Sequence, residues 1–404
     1  MSVRARVLHV TTVPMSLRFL RGQVGYMRAR GYEVHALTSP GEELDAFGAR
    51  EGIPVHTVEM RREITPLHDL GALRRIVAAI RRVRPDVVHA HTPKGGLLGM
   101  LAAAAAGVPV RVYHMRGLPM MTAGGKRRAL LRATERLSCS LAHQVICVSH
   151  SLREVAVAGG LCPPEKIRVL AGGSGNGVDS AGTYSPERWS AEERRGLRAR
   201  WGIPEGATVL GFVGRIVRDK GVAELAEAWR SLREAHPELH LLMVGPAEPQ
   251  DPLPAAVLDA LRADPRVHLA GMQPSAAPFY AIMDLLALPT YREGFPNALL
   301  EAGAMELPVV ATRIPGCVDA VVEGVTGRLV EARDAAALEE ALRGYVADPA
   351  LRAAHGRAAR RHVVESFGQE VIWEALDGVY RELLARRAGR RPAPAAEAGE
   401  GARA

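Results

Sequence analysis

The chain has 404 residues, 48% of them hydrophobic, with 52 Lys+Arg against 44 Asp+Glu and a formal net charge of +8. That length is more than one ordinary core accommodates and predicts two domains of roughly 150–200 residues each. The longest apolar run, residues 97–110, falls short of the ~20 residues a bilayer span needs.

The four cysteines, Cys139, Cys147, Cys162 and Cys317, form no CxxC pair, and none lies near a His at ligand spacing. They read as small buried apolar residues of a reducing compartment. No h-region with a cleavage site follows the N-terminus, and a cytoplasmic location is the expectation. Charge is uneven: residues 1–190 hold 26 Lys+Arg against 14 Asp+Glu, and residues 191–404 hold 26 against 30. A basic first half predicts an anionic partner, be it a membrane surface, a lipid diphosphate or a nucleic acid.

In chain order, residues 6–12 form a first strand. A helix follows over about 17–29, closed by Gly31, and a second strand over 33–37. Further strands are predicted at 54–58, 87–90, 110–114 and 144–148, alternating with helical stretches, which is the pattern of a parallel doubly wound sheet. The Gly-rich turn region 172–179 and the polar residues 180–200 break the pattern. A second alternating unit has strands at 208–213, 239–244, 267–270, 284–288, 308–312 and 327–330. The fold class is therefore α/β, with two Rossmann-like doubly wound parallel-sheet domains facing a central cleft. The expected division is 1–185, 186–368, a helix over 369–388 that crosses back to the first domain, and a Pro-, Ala-, Gly- and Glu-rich disordered tail, 389–404.

Residues 290–302 are the most informative segment. Glu293 and Glu301 stand eight positions apart, the first in the loop after a strand, the second inside a helix opened by Pro296. A helix start offers unpaired N–H groups and a positive dipole end to an anion. A carboxylate further in can accept both hydroxyls of a ribose. Two glutamates so spaced also describe a capped helix with a surface acid; the flanking Glu-Gly-Phe-Pro and Leu-Glu-Ala set this pair apart. In residues 211–221 a buried strand ends at Gly214, and Arg215 and Lys220 follow at the strand–helix junction. Two cations at that edge can hold a diphosphate and stabilise it as it leaves. The same stretch alone also reads as an ordinary basic loop.

Together the two segments resemble the family-4 glycosyltransferases of the GT-B fold, and the likeness runs over nearly the whole chain. Glu293 and Glu301 match the E-x7-E motif of that family. Asn176-Gly177-Val178-Asp179, Val244-Gly245-Pro246, Leu269-Ala270-Gly271 and the turn Glu323-Gly324-Val325-Thr326-Gly327 support it. The resemblance implies a retaining, metal-independent transfer of a hexose from a nucleotide-diphosphate sugar, uridine-based, which is a substrate and leaves no cofactor to be sought. It implies that the second domain binds the donor, with Arg215 and Lys220 on the diphosphate beside Gly214 and Glu301 on the ribose. Glu293 would contact the sugar, near the N–H groups of Gly294, Phe295, Asn297 and Ala298.

Three departures stand out. Many members place a sugar-contacting His just before a Gly. Here the run is Tyr113-His114-Met115-Arg116-Gly117, and either His114 or Arg116 can face the cleft. Pro14, Arg18, Arg21 and Gly22 stand where a Gly-Gly loop is usual. Leu307 replaces the Gly before Pro308.

By the same resemblance, the first domain takes the acceptor. Arg128, Arg132 and Arg136 recur on one face of a helix whose apolar residues are Leu130, Leu131 and Leu137. Such a helix suits an anionic membrane and equally an ordinary solvated position on its domain. Lys94, beside Gly95-Gly96, is either an acceptor-phosphate ligand or a loop lysine. The segments His9–Pro14, His91–Gly96 and Arg116–Leu118 are similar to those of bacterial capsule and exopolysaccharide glycosyltransferases. That implies a glycan or polyprenyl-diphosphate-linked acceptor and peripheral contact with the inner face of the cytoplasmic membrane. A soluble metabolite or natural-product acceptor is the alternative within the class. A nucleotide-sugar epimerase is a second class, against which the pairing of Arg215 and Lys220 with two acids argues. A non-catalytic nucleic-acid or membrane binder is a third; for nucleic acid, the interleaved aromatics that stack bases are missing.

Overall fold

Strands that are almost continuously apolar must be covered on both faces, and the two sheets of this chain are. The computed structural model describes residues 4–248 and 251–389. The first sheet is built of β1 (Ala5–Val10), β2 (Tyr32–Thr38), β3 (Val55–Thr57), β4 (Val87–His91), β5 (Val110–Met115), β6 (Gln144–Cys147) and β7 (Ile167–Val169). The second holds β8 (Thr208–Val213), β9 (Leu239–Val244), β10 (Val267–Gly271), β11 (Leu285–Leu288), β12 (Val309–Thr312) and β13 (Gly327–Val330). Every named pairing is parallel, in the orders β3-β2-β1-β4-β5-β6-β7 and β10-β9-β8-β11-β12-β13.

This is the two-domain α/β architecture expected from the sequence. Five strands, β1, β3, β6, β11 and β12, begin or end one or two residues short of their expected limits, and β7 is an addition to the expected set. Two of the trimmed residues are Pro54 and Pro308, which have no N–H to give a ladder. Their carbonyls still accept, from Ala36 N at 3.2 Å and Leu286 N at 3.0 Å. The four cysteines are buried free thiols. No helix of the described residues is long and apolar enough to cross a membrane.

In each sheet the strand order reverses once, between β1 and β4 and between β8 and β11. Open α/β sheets bind ligands at the carboxyl ends of the strands beside such a reversal. The loops after β1, β4, β8 and β11 carry the residues the sequence singled out.

The helix Gln369–Ala388 packs on the first sheet. It buries Ile372, Leu376, Val379, Tyr380 and Leu383 among Val7, Val34 and Val112. Tyr32 Oη donates to Asp377 at 2.7 Å, and Tyr380 Oη meets His89 Nδ1 at 2.6 Å. The loop between the sheets is tied to the same helix: Trp373 Nε1 donates to Asn176 Oδ1 at 2.8 Å, and Asn176 Nδ2 donates to Arg21 O at 2.9 Å. Of the tail expected over 389–404, residues 390–404 lie outside the described residues.

Glu135, on the helix Gly125–Leu141, is buried beneath the first sheet and accepts from Tyr113 Oη at 2.6 Å. Burial pushes its carboxyl up to about 7 from 4.5. The unfolded chain therefore ionises this group first, and the stability it contributes at acid pH is lost as pH climbs from 4.5 to about 7. A Glu135→Gln variant, which keeps an acceptor for Tyr113, should be about 3 kcal/mol more stable than the native chain at pH 8. The gain should nearly vanish at pH 4.5. Denaturant titrations at the two pH values measure it, and equal gains at both would contradict the assignment.

Candidate functional site

Strand β8 ends at Val213, and Gly214 carries the chain out of the sheet. Arg215 follows, exposed, with Nη1 paired to Glu248 Oε2 at 2.8 Å. A short 3-10 turn, Arg218–Lys220, leads into the helix Val222–Ala235 through Gly221, whose φ is +66°. A Cβ on Gly221 would lie 1.9 Å from Pro289 O, so the turn packs directly against the end of β11. That contact sets Lys220 beside the loop after β11, where its ammonium pairs with Glu293 Oε1. Both side chains of the pair are largely buried. Arg292 Nη2 reaches Asp219 Oδ2 at 3.3 Å, and its Nε donates to Thr122 Oγ1 of the first domain at 3.1 Å.

Pro296 stands just before the helix Asn297–Ala304. Asn297 and Ala298 form its first turn, where backbone N–H groups have no intrahelical acceptor. Phe295 instead packs on Phe367, ring centroids 5.4 Å apart. Glu301 Oε2 accepts from Tyr280 Oη at 3.0 Å, and the Tyr184 hydroxyl lies in hydrogen-bonding contact with the same carboxylate. Burial raises the Glu301 carboxyl above its ordinary value, while the two tyrosine hydroxyls and the charge of Arg18 pull it back.

The structure thus brings Lys220 and Glu293 into contact. Arg215 lies at the same strand edge, and Glu301 inside the adjoining helix. Gly294 joins this set to the first domain. A Cβ there would lie 2.0 Å from Arg116 O. Ser149 Oγ donates to Gly294 O at 2.9 Å.

Of the two residues offered for the sugar-facing position, Arg116 lines the cleft and His114 does not. His114 is buried in a stack of rings from adjacent strands. It pairs in register with His91, as His89 does with His9. Its ring lies 5.3 Å from His89 and 5.4 Å from His91, and neither of its nitrogens has a partner among the described residues.

Arg116 donates through Nε and Nη2 to His91 Nδ1, at 3.3 and 3.2 Å. Guanidinium nitrogens only donate, so His91 carries its proton on Nε2 and directs it at His9 Nδ1, 3.0 Å away. Nitrogens of His9, His89 and His91 lie within 4.8 Å of one another. A cation there would have to displace the His91 proton and sit beside Arg116. The donor set fits a hydrogen-bonded relay instead.

Lys94 is committed to Asp69, at 2.7 Å, and to backbone and hydroxyl oxygens of Glu63 and Thr65. Arg128 and Arg136 are exposed on the helix Gly125–Leu141, while Arg132 Nη2 donates to Gly159 O. These basic residues stand apart from the Glu293 loop. Sequence reasoning missed Tyr184, Tyr280, Phe19 and the relay. The His residues had a signal, the i, i+2 alternation of His89 and His91 on one strand; the tyrosines had none.

Burial pushes His9 down to about 3 and His89, His91 and His114 well below the ordinary histidine value, with the Arg116 charge adding to the effect. All four should stay neutral from pH 5.5 to 8, with His91 in the Nε2–H form. Nitrogen-15 imidazole spectra read both, and a titration midpoint for any of the four inside that window would refute the relay.

Residues 17–173 match the family described as Glycosyl transferase 4-like domain, and residues 207–348 match Glycosyl transferases group 1. The capsular polysaccharide biosynthesis glycosyltransferase CapM of Staphylococcus aureus is 31% identical over 385 residues, spanning 95% of this chain and 99% of CapM. An Escherichia coli UDP-Gal:alpha-D-GlcNAc-diphosphoundecaprenol alpha-1,3-galactosyltransferase is 26% identical, spanning 81% of this chain and 83% of its own. Among solved structures, Anabaena HepE in complex with UDP superposes with a TM-score of 0.76 at 19% identity, covering 93% of this chain and all of that one.

Proposed function

From the premise that the chain belongs to the group 1, family-4-like glycosyltransferases, related to those of capsule and lipopolysaccharide assembly, we propose that it transfers a hexose from a UDP-sugar to a lipid-linked glycan with retention of configuration. One observation carries the reading: Lys220 pairs with Glu293 at the reversal point of the second sheet, with Arg215 on the same strand edge and lining the cleft and Glu301 in the helix that follows Glu293.

Lys220 and Glu293 neutralise one another before substrate arrives. An entering diphosphate takes Lys220 and Arg215 for its oxygens, releasing Glu293 to accept from sugar hydroxyls. Glu301, held by two tyrosine hydroxyls, takes the ribose. As the glycosidic bond to the diphosphate breaks, the two cations stabilise the charge that gathers on the leaving group, the work a divalent ion does in other transferases. The acceptor hydroxyl enters on the face the diphosphate leaves and passes its proton to a phosphate oxygen. That geometry requires no separate general base.

For the acceptor, the first domain offers a cavity of about 630 Å³ between residues 62–69 and the helix Gly125–Leu141. Arg62 and Arg127 line it together with Ile64, Leu130 and Leu131. Apolar walls with basic residues at the mouth suit a polyprenyl diphosphate drawn from the inner face of the cytoplasmic membrane. The acceptor named for the Escherichia coli relative is of that class.

UDP should raise the melting temperature of the native protein. Lys220→Ala and Glu301→Ala should each weaken UDP binding about 10–100-fold, the worth of one or two charge-assisted hydrogen bonds. Because the Glu301 carboxyl is raised and must be ionised to accept from ribose, UDP affinity should grow as pH climbs through the weakly acid range. Glu301→Gln should flatten that profile. Absence of any nucleotide-dependent stabilisation would end the donor assignment. On the acceptor side, charge reversal at Arg128 and Arg136 should lower sedimentation with anionic vesicles, and undiminished sedimentation would reject that helix as the membrane contact.

A further inference from the structure

A second cavity, about 390 Å³, opens between the domains, and five arginines line it: Arg18, Arg62 and Arg116 from the first domain, Arg215 and Arg292 from the second. No acidic side chain is among its described lining residues. The two from the second domain have carboxylate partners, Glu248 and Asp219. The three from the first have none within 4.0 Å among the described residues.

The arrangement at Phe19 is specific. The Arg116 guanidinium lies 4.3 Å from the centre of its ring and that of Arg18 5.7 Å from the same centre. One aromatic ring therefore gathers two like charges. Arg116 is half-buried, and its hydrogen bonds go only to neutral acceptors, His91 Nδ1 and Gly175 O at 3.3 Å. Its burial lowers the guanidinium to about 9, so it is still a cation at neutral pH. A desolvated cation without a counter-charge is costly. An anionic oxygen group beside Arg116 and Arg18 removes that cost, and the His91 relay keeps the guanidinium turned to meet it.

We propose that Arg116 and Arg18, gathered on Phe19 with Arg62 at the mouth, form a second anion subsite on the first-domain wall of the cleft, separate from Arg215 and Lys220, which binds an anionic oxygen group adjoining the sugar to be transferred. The subsite rests on the donor reading above for what occupies the other wall. Two sources supply such a group: a phosphate of the acceptor, or a carboxylate on the donor sugar.

Calorimetric titration separates them. In the first arm the protein is saturated with UDP and titrated with inorganic pyrophosphate. A second equivalent should bind, and Arg116→Gln and Arg18→Gln should each weaken it at least tenfold, with Arg116→Gln leaving UDP affinity within about twofold. Arg18 is exposed, so its variant keeps the test open should Arg116→Gln misfold. In the second arm UDP-glucuronate is compared with UDP-glucose. An acceptor phosphate predicts equal affinities. A sugar carboxylate predicts tenfold or more in favour of the glucuronate, lost in Arg116→Gln, with no pyrophosphate bound beside UDP. If UDP binds and neither arm responds to Arg116 or Arg18, the subsite is overturned and the donor reading stands. If UDP does not bind, the donor reading falls, and pyrophosphate titrated to the free native and Arg116→Gln proteins decides the subsite: a tenfold loss supports it and equal affinity overturns it.

Discussion

At Gly294 the functional loops of the two domains meet backbone against backbone. Gly294 has no side chain, and a Cβ in its place would stand 2.0 Å from the carbonyl oxygen of Arg116. Ser149 reaches across to the Gly294 carbonyl, and the Arg292 side chain to Thr122. This contact brings the loop after β11 up to the loop after β5. Everything chemical about the cleft follows from it: Glu293 is one residue to one side of the contact, and Arg116 is itself the other side. A larger residue at 294 would separate Glu293 from the cation opposite by roughly the thickness of a methyl group, enough to matter where reacting groups must be held within about 0.5 Å.

Much of the fold was legible because its signal is local. Parallel strands covered on both faces read as short apolar runs, and the helices between them have their own period. Two of the limits missed were proline positions, where a missing N–H trims a ladder without changing the hydrophobic pattern. The candidate residues of the second domain stood out in the sequence because they are clustered: Gly214, Arg215 and Lys220 in one strand–helix junction, Glu293 and Glu301 within one loop and helix. What could not be read was whatever is assembled across the sheet or between domains. Tyr280 lies 21 positions before Glu301 and Tyr184 more than a hundred, and no spacing connects a tyrosine to a carboxylate at such distances. The choice between His114 and Arg116 was of another kind. Both are close in sequence and, as an i, i+2 pair, would share one face of a strand, so only the point at which β5 ends decides it. His114 lies within β5 and turns into the ring stack, whereas Arg116 stands just past the strand and lies free to cross toward Phe19.

The ring stack also explains how a basic domain tolerates so many histidines. His9, His89, His91 and His114 lie at the carboxyl ends of three adjacent strands, directly behind the arginines. A proton on any of them would place a second cation within a few ångströms of Arg116, and two unit charges about 4 Å apart cost about 4 kcal/mol at the screening typical near a protein surface. Burial alone lowers each ring, and the Arg116 charge lowers it further. The stack is thus held neutral first by its burial and further by the cation it supports. His91 in turn offers Arg116 an acceptor without a charge, so the guanidinium is oriented yet left uncompensated.

That distinction divides the cleft into two electrostatic halves. On the second-domain wall the cations are already paired: Lys220 with Glu293, Arg215 with Glu248, Arg292 with Asp219. An anion arriving there must exchange partners, which releases an acid, Glu293 in the case of Lys220. On the first-domain wall Arg18, Arg62 and Arg116 have no carboxylate within 4.0 Å among the described residues, and an anion there displaces no ion pair. Exchange favours discrimination, because a ligand unable to use the freed carboxylate recovers less than it displaces. Binding without displacement favours attraction, raising local concentration and encounter rate for any anion that reaches the cleft. The excess of positive charge in the first half of the sequence is the compositional trace of it.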